Sequence, residues 1–556
     1  MTTTTFRASA IAGAVTLSVL ASALSLMPSQ AEANVALDDS ERIEALTELG
    51  KRVFFDPISQ PRGEQSCSSC HDPSTGWTGP SSAVNEVEVA MPGAAFHHDP
   101  EARGGLRPPT NAYATLIPPF AEVENPFLPF PILVGGAFWD GRAEGDDPLY
   151  PDGATEHIYL ADVLGVTEDD PDLTLFEQTV RGYLGPVADQ ALNPFTNPVE
   201  QNTREKGVCR HVERGDYAHL FAKAWGEPII CSNATYRTSF KRIAVALAAY
   251  QDSPEVNSFS SRRDNALRAE LTCMSLDEIK ALPWAGNLEQ GEVESILSRF
   301  GLAPDDLGAS CAEKQQGEFG RFPLAMLTEE ENWGHDLFYS FGPVPAGAFN
   351  SCTKTVITAD NPKPGARCVA CHANNPGDDG SEPLQTYADH AYHNIGAPVN
   401  YEIPGVVESA LGLAGHTGEE ADIGLIKTPT LRNVAKAPDG EPDFVKAYLS
   451  NGWFKSLESL VHFYNTSDVS SSGVPRCADD IVTEAQAMGA DGLPACWPAP
   501  GHTNAISIGF VTGNLGLSSC DEQAIVAYLR TFDDQRVVER PPTTSTRPER
   551  RSRTER

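Results

Sequence analysis

Positive charge is what this 556-residue chain has least of: 41 Lys and Arg stand against 76 Asp and Glu, a formal net charge of −35. Such a surface repels nucleic acid and anionic membrane, which argues against partners of either kind, and at low ionic strength it would steer a basic protein toward itself. The same acidity would also suit a salty habitat or simple solubility. Long apolar runs are scarce too. Beyond the first 33 residues no stretch is long enough to cross a bilayer, so no membrane span is expected. Strand-type alternation is nearly missing, while 43 Pro and 46 Gly punctuate the chain. That combination excludes a sheet-built protein and predicts a mainly α fold with extensive ordered loops.

The two ends differ from the rest. Residues 1–33 carry one positive charge, Arg7, then an apolar run over 8–27 and the small-x-small triplet Ala31-Glu32-Ala33. This is the pattern of a secretory signal peptide cleaved near Ala33, which predicts a periplasmic or otherwise exported protein. Residues 536–556 hold seven Arg against three Glu among Pro, Thr and Ser, and are expected to be a disordered tail.

Against this background one pentapeptide occurs twice, as Cys67-Ser68-Ser69-Cys70-His71 and Cys368-Val369-Ala370-Cys371-His372. Cys-x-x-Cys-His attaches haem covalently: the thiols form thioethers to the porphyrin vinyls and the adjacent histidine becomes an axial iron ligand. Two covalently bound c-type haems are therefore expected. Of the 12 cysteines, eight remain: Cys209, Cys231, Cys273, Cys311, Cys352, Cys477, Cys496 and Cys520. In an oxidising compartment an even remainder suggests up to four disulfides. Nearest-neighbour pairing joins Cys209 to Cys231, Cys273 to Cys311 and Cys477 to Cys496, leaving Cys352 with Cys520, although spacing alone does not fix connectivity.

A chain of this length exceeds what one hydrophobic core usually serves, so two domains are expected, one for each motif. Leu46, Leu49, Val53 and Phe54 form a helical stripe before the first motif, and Phe240, Ile243, Ala244 and Leu247 a second. Thr328 with Glu331 makes a capping box opening a helix through Trp333, Leu337 and Phe338. Ile525, Tyr528, Leu529 and Phe532 mark a last helix. The division drawn is residues 34–326 for the first domain, 327–535 for the second and 536–556 for the tail. No internal repeat is evident beyond the two motifs.

Several further segments, in order, resemble landmarks of the bacterial di-haem cytochrome c peroxidases and their MauG-type relatives. They are Leu49-Gly50-Lys51-Arg52-Val53-Phe54-Phe55-Asp56, Phe138-Trp139-Asp140-Gly141-Arg142, Asn197-Pro198-Val199-Glu200, His393-Asn394-Ile395-Gly396 and Thr428-Pro429-Thr430-Leu431-Arg432-Asn433-Val434. The likeness covers most of residues 45–533, with stretches near 143–192, 268–326 and 344–366 reading as insertions. It implies two cytochrome c-like haem domains, the first peroxidatic and the second receiving electrons.

Residue by residue, the resemblance implies that Glu200, six positions after Pro194, is the acid-base catalyst above the first haem, where splitting a peroxide O–O bond needs a group to shuttle a proton. Trp139 is similar to the tryptophan that bridges the haems. Tyr464 stands where the peroxidases have the methionine ligand of the second haem, and MauG-type members a tyrosine; His462 and Met488 are the other candidates for that ligand. His98, eleven residues before Pro109-Thr110, is placed like the switch histidine that caps the first iron in gated members, a cap the MauG type lacks; an exposed loop histidine is the competing reading. The family's interdomain calcium site uses an asparagine just before that Pro-Thr pair, whereas this chain has Leu106-Arg107-Pro108, which puts calcium in doubt. Ser450-Asn451-Gly452 likewise replaces a His-Asp-Gly.

Three functions follow as expectations. The first is an exported peroxidase reducing hydrogen peroxide to water with electrons from a small cytochrome c or cupredoxin. The second is a MauG-type oxidase acting on a protein or organic substrate through a stored high-valent state, and the third a non-enzymatic electron carrier or redox sensor. The resemblance also implies pairing into a homodimer.

Overall fold

The computed structural model describes residues 38–60, 63–124, 130–309, 324–374, 378–504 and 511–541. The expected signal peptide lies outside them. So does most of the expected tail, but residues 536–541 lie against the body: Ser260 Oγ accepts the Arg536 N–H (3.2 Å) and Arg540 donates to Asp72 (2.6 Å).

Each haem motif follows a helix whose tight crossing with a later helix explains its sequence. The helix Asp39–Phe55 starts at Asp38, whose carboxylate accepts the Ser40 N–H at 3.2 Å, and it buries Leu46, Leu49, Gly50, Val53 and Phe54. It packs on the helix Tyr236–Gln251, nearly all of whose second half is buried. At the crossing, a Cβ on Gly50 would collide with the Ala246 carbonyl and reach within 2.9 Å of the Tyr250 Cβ. The second helix of this kind, Glu329–Tyr339, opens with the expected capping box. Thr328 Oγ1 accepts the Glu331 N–H (3.2 Å), and Glu331 accepts the Thr328 N–H (2.7 Å). It packs on Ser519–Leu529, where a Cβ on Gly334 would collide with the Ala524 carbonyl and reach within 2.8 Å of the Tyr528 Cβ.

The two crossings are one motif used twice. Gly50, Val53, Phe54 and Phe55 match Gly334, Leu337, Phe338 and Tyr339, and Ala246 with Tyr250 matches Ala524 with Tyr528. The sequence therefore holds an internal repeat beyond the two haem motifs, carried by a glycine that admits a close backbone approach and by a few aromatic positions.

Two main groups of buried apolar side chains surround these crossings. One runs from Ala45 to Val256, the other from Ala266 to Phe532. The segment 266–302, assigned by sequence to the first domain, buries Leu267, Leu271, Val293, Leu297 and Phe300 in the second group. Among the described residues strand is confined to three short antiparallel pairs, Ala121–Val123 with Ile132–Val134, Phe349–Asn350 with Thr355–Val356, and Tyr392–His393 with Ile426–Lys427. The fold is thus mainly helical with long ordered loops.

Covalent and polar ties fasten those loops. Cys209–Cys231, Cys352–Cys520 and Cys477–Cys496 are disulfides, as expected. Cys273 is also disulfide-bonded, and its expected partner Cys311 lies outside the described residues. Across the two halves, Tyr113 Oη donates to Asp534 (2.8 Å), which also accepts from Asn433 (3.0 Å) and from the Ser260 N–H (3.0 Å). Beneath them Arg432 makes a buried bidentate pair with Asp264, one bond measuring 2.9 Å.

Candidate active site between the two haem motifs

The two motifs are short turns of the same build. The His71 N–H bonds back to the Cys67 carbonyl at 3.0 Å, and the His372 N–H to the Cys368 carbonyl at 2.9 Å. Cys67, Cys70, Cys368 and Cys371 are free thiols, while every other cysteine in the described residues is disulfide-bonded. Both histidines are fixed through Nδ1, His71 against the Trp77 carbonyl (3.2 Å) and His372 against the Tyr387 carbonyl (2.8 Å), leaving Nε2 to take a ligand. A carbonyl behind an imidazole is the usual orienting partner of a metal-bound histidine. Burial pulls His71 down to about 4 and lowers His372 as well, so both rings are neutral and able to ligate. Burial also pushes the Cys67 and Cys368 thiols up to about 12.

Both motifs face one continuous cavity of ≈ 790 Å³, large enough for a sizeable cofactor. Glu200, Trp139 and Tyr464 line the same cavity. Glu200 is set by a turn in which Asn197 Oδ1 accepts the Val199 N–H (3.1 Å) while Asn197 Nδ2 donates to Glu200 Oε1 (2.9 Å). Burial raises its carboxyl above the ordinary range, against the lowering effects of Asn197 and of Arg142 nearby. Trp139 is buried on a tight loop that includes Phe138 at φ +66° and Gly141 at φ +78°, and its indole N–H donates to the Arg107 carbonyl at 2.8 Å. Tyr464, on the helix Leu457–Thr466, points at the second motif, and burial beside Cys371 and Cys368 holds its phenol well above the usual value.

The other candidates lie elsewhere. His98 is exposed and does not line the cavity, although its loop is tied to the site where the Ala94 N–H meets the Glu200 carbonyl at 2.7 Å. His462 pairs with Glu522 at 3.0 Å, and neither it nor Met488 reaches the cavity wall. Cys371, Asp389 and His393 form a trio close enough to share a metal, with His393 to Asp389 at 2.9 Å, but its thiol is part of the second haem motif.

Residues 44–272 match the family model described as di-haem cytochrome c peroxidase. Over 502 residues the chain is 25% identical to the methylamine utilization protein MauG of Paracoccus denitrificans, covering 89% of each sequence. The chain is thus similar to the di-haem cytochrome c peroxidase family over residues 44–272, and to MauG over most of its length. Its structure is similar to that of the diheme peroxidase BthA from Burkholderia thailandensis, at 20% identity over 88% of this chain and 86% of that one with a TM-score of 0.50. A tyrosine-to-methionine variant of the same protein gives 21% identity, coverage of 89% and 87%, and a TM-score of 0.53. At such identities the likeness is one of fold. The family so matched is one of di-haem oxidoreductases, which implies two haem cofactors. The free thiols and the ordered neutral imidazoles fit that group at both motifs.

Sequence reasoning missed the cations in the wall of this cavity. Lys427 Nζ donates to the Gly136 carbonyl, and Lys446 Nζ to the carbonyls of Thr75 (2.8 Å), Asn433 (2.6 Å) and Lys436 (3.1 Å). Each bridges oxygens or elements from both halves, and burial pulls each lysine down to about 7. A lone lysine gives no sign in sequence that it will be buried; only the adjoining Thr428-Pro429-Thr430 landmark marks Lys427 as close to the site.

Proposed function

We propose that this is an exported di-haem c-type peroxidase that reduces hydrogen peroxide with electrons from a small cytochrome c or cupredoxin. Cys67, Cys70 and His71 would hold one haem and Cys368, Cys371 and His372 the other, supplying redox-active iron to each half of the cavity. The division into two haem-bearing halves belongs to the same proposal, with its boundary within 257–265, where the two groups of buried side chains part.

The observation that carries this reading is the single cavity lined by both motifs, with Glu200 and Trp139 in its wall. Glu200 has one oxygen engaged by Asn197, so Oε2 is free to take the proton from the near oxygen of the peroxide and return it to the far one. Two electrons and two further protons complete two waters. Trp139 is held between the halves by its bond to Arg107 and offers a π system along the electron path. Entry beside His372 puts the donor on an acidic protein, which suits a basic partner.

Tyr464 favours a second reading, the MauG-type oxidase. It lines the cavity, whereas Met488 does not, and His98 stands outside. In that case Glu200 does the same proton work, but the two oxidising equivalents wait for a protein or organic electron donor. Rapid mixing of hydrogen peroxide with the all-ferric and the half-reduced holoprotein separates the readings. Fast reaction only after reduction supports the gated peroxidase. Fast reaction of the all-ferric form supports the oxidase, and no reaction in either form leaves only an electron carrier or sensor.

A further inference from the structure

A third cation in the cavity wall, Arg107, likewise has only neutral hydrogen-bond partners. The guanidinium of Arg107 donates from Nε to the Leu449 carbonyl (3.0 Å) and from Nη1 to Thr78 Oγ1 (2.9 Å), and its backbone N–H donates to the Ser450 carbonyl (2.7 Å). It has no ion pair among the described residues. Burial pulls it below its ordinary value, to about 10, which leaves it fully charged at neutral pH. Thr78 belongs to the first half and Leu449 and Ser450 to the second, so this one residue ties the halves together. Its carbonyl accepts the indole N–H of Trp139, and its guanidinium carbon lies 5.5 Å from the centre of that ring, within range of a cation–π contact.

The family resemblance implies an interdomain calcium ion here, held by an asparagine just before Pro109-Thr110. The residues do not fit one. Calcium takes six to eight oxygens, carboxylates among them. Here the Leu449 and Thr78 oxygens already receive guanidinium hydrogens, the asparagine is missing, and a second positive charge beside Arg107 would be repelled.

We infer that Arg107 is the permanent interdomain cation of this protein, standing in for a divalent ion, joining Thr78 to Leu449 and Ser450 and positioning Trp139 between the two haem motifs. Its role toward Trp139 rests on the electron path proposed above; its role as a replacement for the ion does not. A planar fork that keeps its proton at neutral pH offers what an exchangeable ion offers, fixed charge and convergent bonds, without an occupancy that varies with calcium supply.

The test uses the holoprotein with both haems in place, and reads optical redox titrations and the rate of electron transfer from the second haem to the first. Wild type treated with a calcium chelator should keep both unchanged. Arg107→Gln should shift the oxidised-to-reduced ratio of at least one haem about tenfold at fixed ambient potential, equivalent to about 59 mV for one electron, and slow the transfer at least tenfold. Arg107→Lys, which keeps the charge and loses the fork, should hold the ratio near wild type. Arg107→Asn should become calcium-sensitive, its ratio returning toward wild type when calcium is added. A wild type that loses transfer on chelation and regains it with calcium overturns the inference. So does Arg107→Gln that titrates like wild type, or Arg107→Asn that ignores calcium. If Arg107→Gln fails to fold, the chelation and lysine arms still decide the matter. If wild-type haems exchange no electrons, the Trp139 path is wrong, and the titrations still test the replacement of the ion.

Discussion

Replacing Glu200 with Gln changes one property of the cavity and almost nothing else. The amide is the same size and keeps an oxygen for the 2.9 Å bond from Asn197 Nδ2, so the turn over Asn197–Glu200 should survive. What disappears is a group that can accept a proton. Positioned general acid–base catalysis contributes about 10²–10⁴-fold, so the reaction of peroxide with the competent redox form should slow by that factor in a rapid-mixing experiment. The pH dependence follows from the raised carboxyl. Burial holds its folded-state value above that of an ordinary glutamate, so the basic form is populated mainly at a pH above that raised value, and the wild-type rate should fall as pH drops through it. Stability runs in the opposite sense. A carboxyl whose folded value is raised contributes most below its unfolded value, and the contribution is lost as pH rises through the window up to the folded value. Glu200→Gln removes that loss, so the variant should be no less stable than wild type at neutral pH. A variant that reacts within threefold of wild type, with an unaltered pH profile, would remove Glu200 from the mechanism.

The crossing glycines make a sharper structural test. Gly334→Ala pushes a methyl into the Ala524 backbone and should cost about 3 kcal/mol or more in denaturant titration, whereas Gly182→Ala, with nothing within 4 Å in the helix Leu175–Tyr183, should gain about 0.5–1 kcal/mol. A small loss for Gly334→Ala would show that the helices can separate at the crossing. Arg432→Met takes the bidentate partner from the buried Asp264 carboxylate, leaving it Ser261 and the more distant Arg263 at 4.0 Å, and should cost about 3 kcal/mol; Arg432→Met with Asp264→Leu should recover part of it, and equal losses in the single and double variants would refute the pairing argument. Opening the Cys352–Cys520 disulfide, which spans 168 residues, by Cys352→Ser with Cys520→Ser should cost about 5 kcal/mol on chain-entropy grounds. Unchanged melting of that double variant would mean the unfolded chain gains little freedom from losing the link.

The parts of this protein that were legible in sequence are those whose chemistry is local. Cys-x-x-Cys-His is read in five residues, the Thr328–Glu331 box in four, and the stripe ending at Phe54 in three turns; all three lie where expected. Three disulfides followed from counting: Cys209–Cys231 and Cys477–Cys496 are short spacings, and Cys352 with Cys520 was what remained after nearest neighbours were paired. That the segment 266–302 packs into the second group of buried side chains was not legible, because an amphipathic helix shows which face is apolar but not which core receives it. The repeat of helix crossings escaped notice for a related reason. Its signal is a glycine and an alanine facing one another from segments about 200 residues apart, and small residues carry little weight in any hydrophobic pattern.

The same limit explains the cationic cavity wall, and that wall bears on how the protein works. A chain with a net charge of −35 would be expected to hold its few cations at the surface, paired with some of its many carboxylates. Instead Arg107, Lys427 and Lys446 are turned inward, and the hydrogen bonds they make go to neutral oxygens. Burying such groups is costly unless something nearby compensates; Asp140 acts on Lys427 and Asp533 on Lys446, whereas no carboxylate acts on Arg107, which suits a cavity whose occupant brings negative charge of its own. Haem carries two carboxylates, and two haems would bring four into this space. Placed near those three cations, the carboxylates would be neutralised at the seam between the halves, close to Trp139. The exterior would keep its acidity for attracting a basic electron donor. On the proposed function, the interior and exterior charges would serve different partners, and the sign of each would follow from the partner it meets.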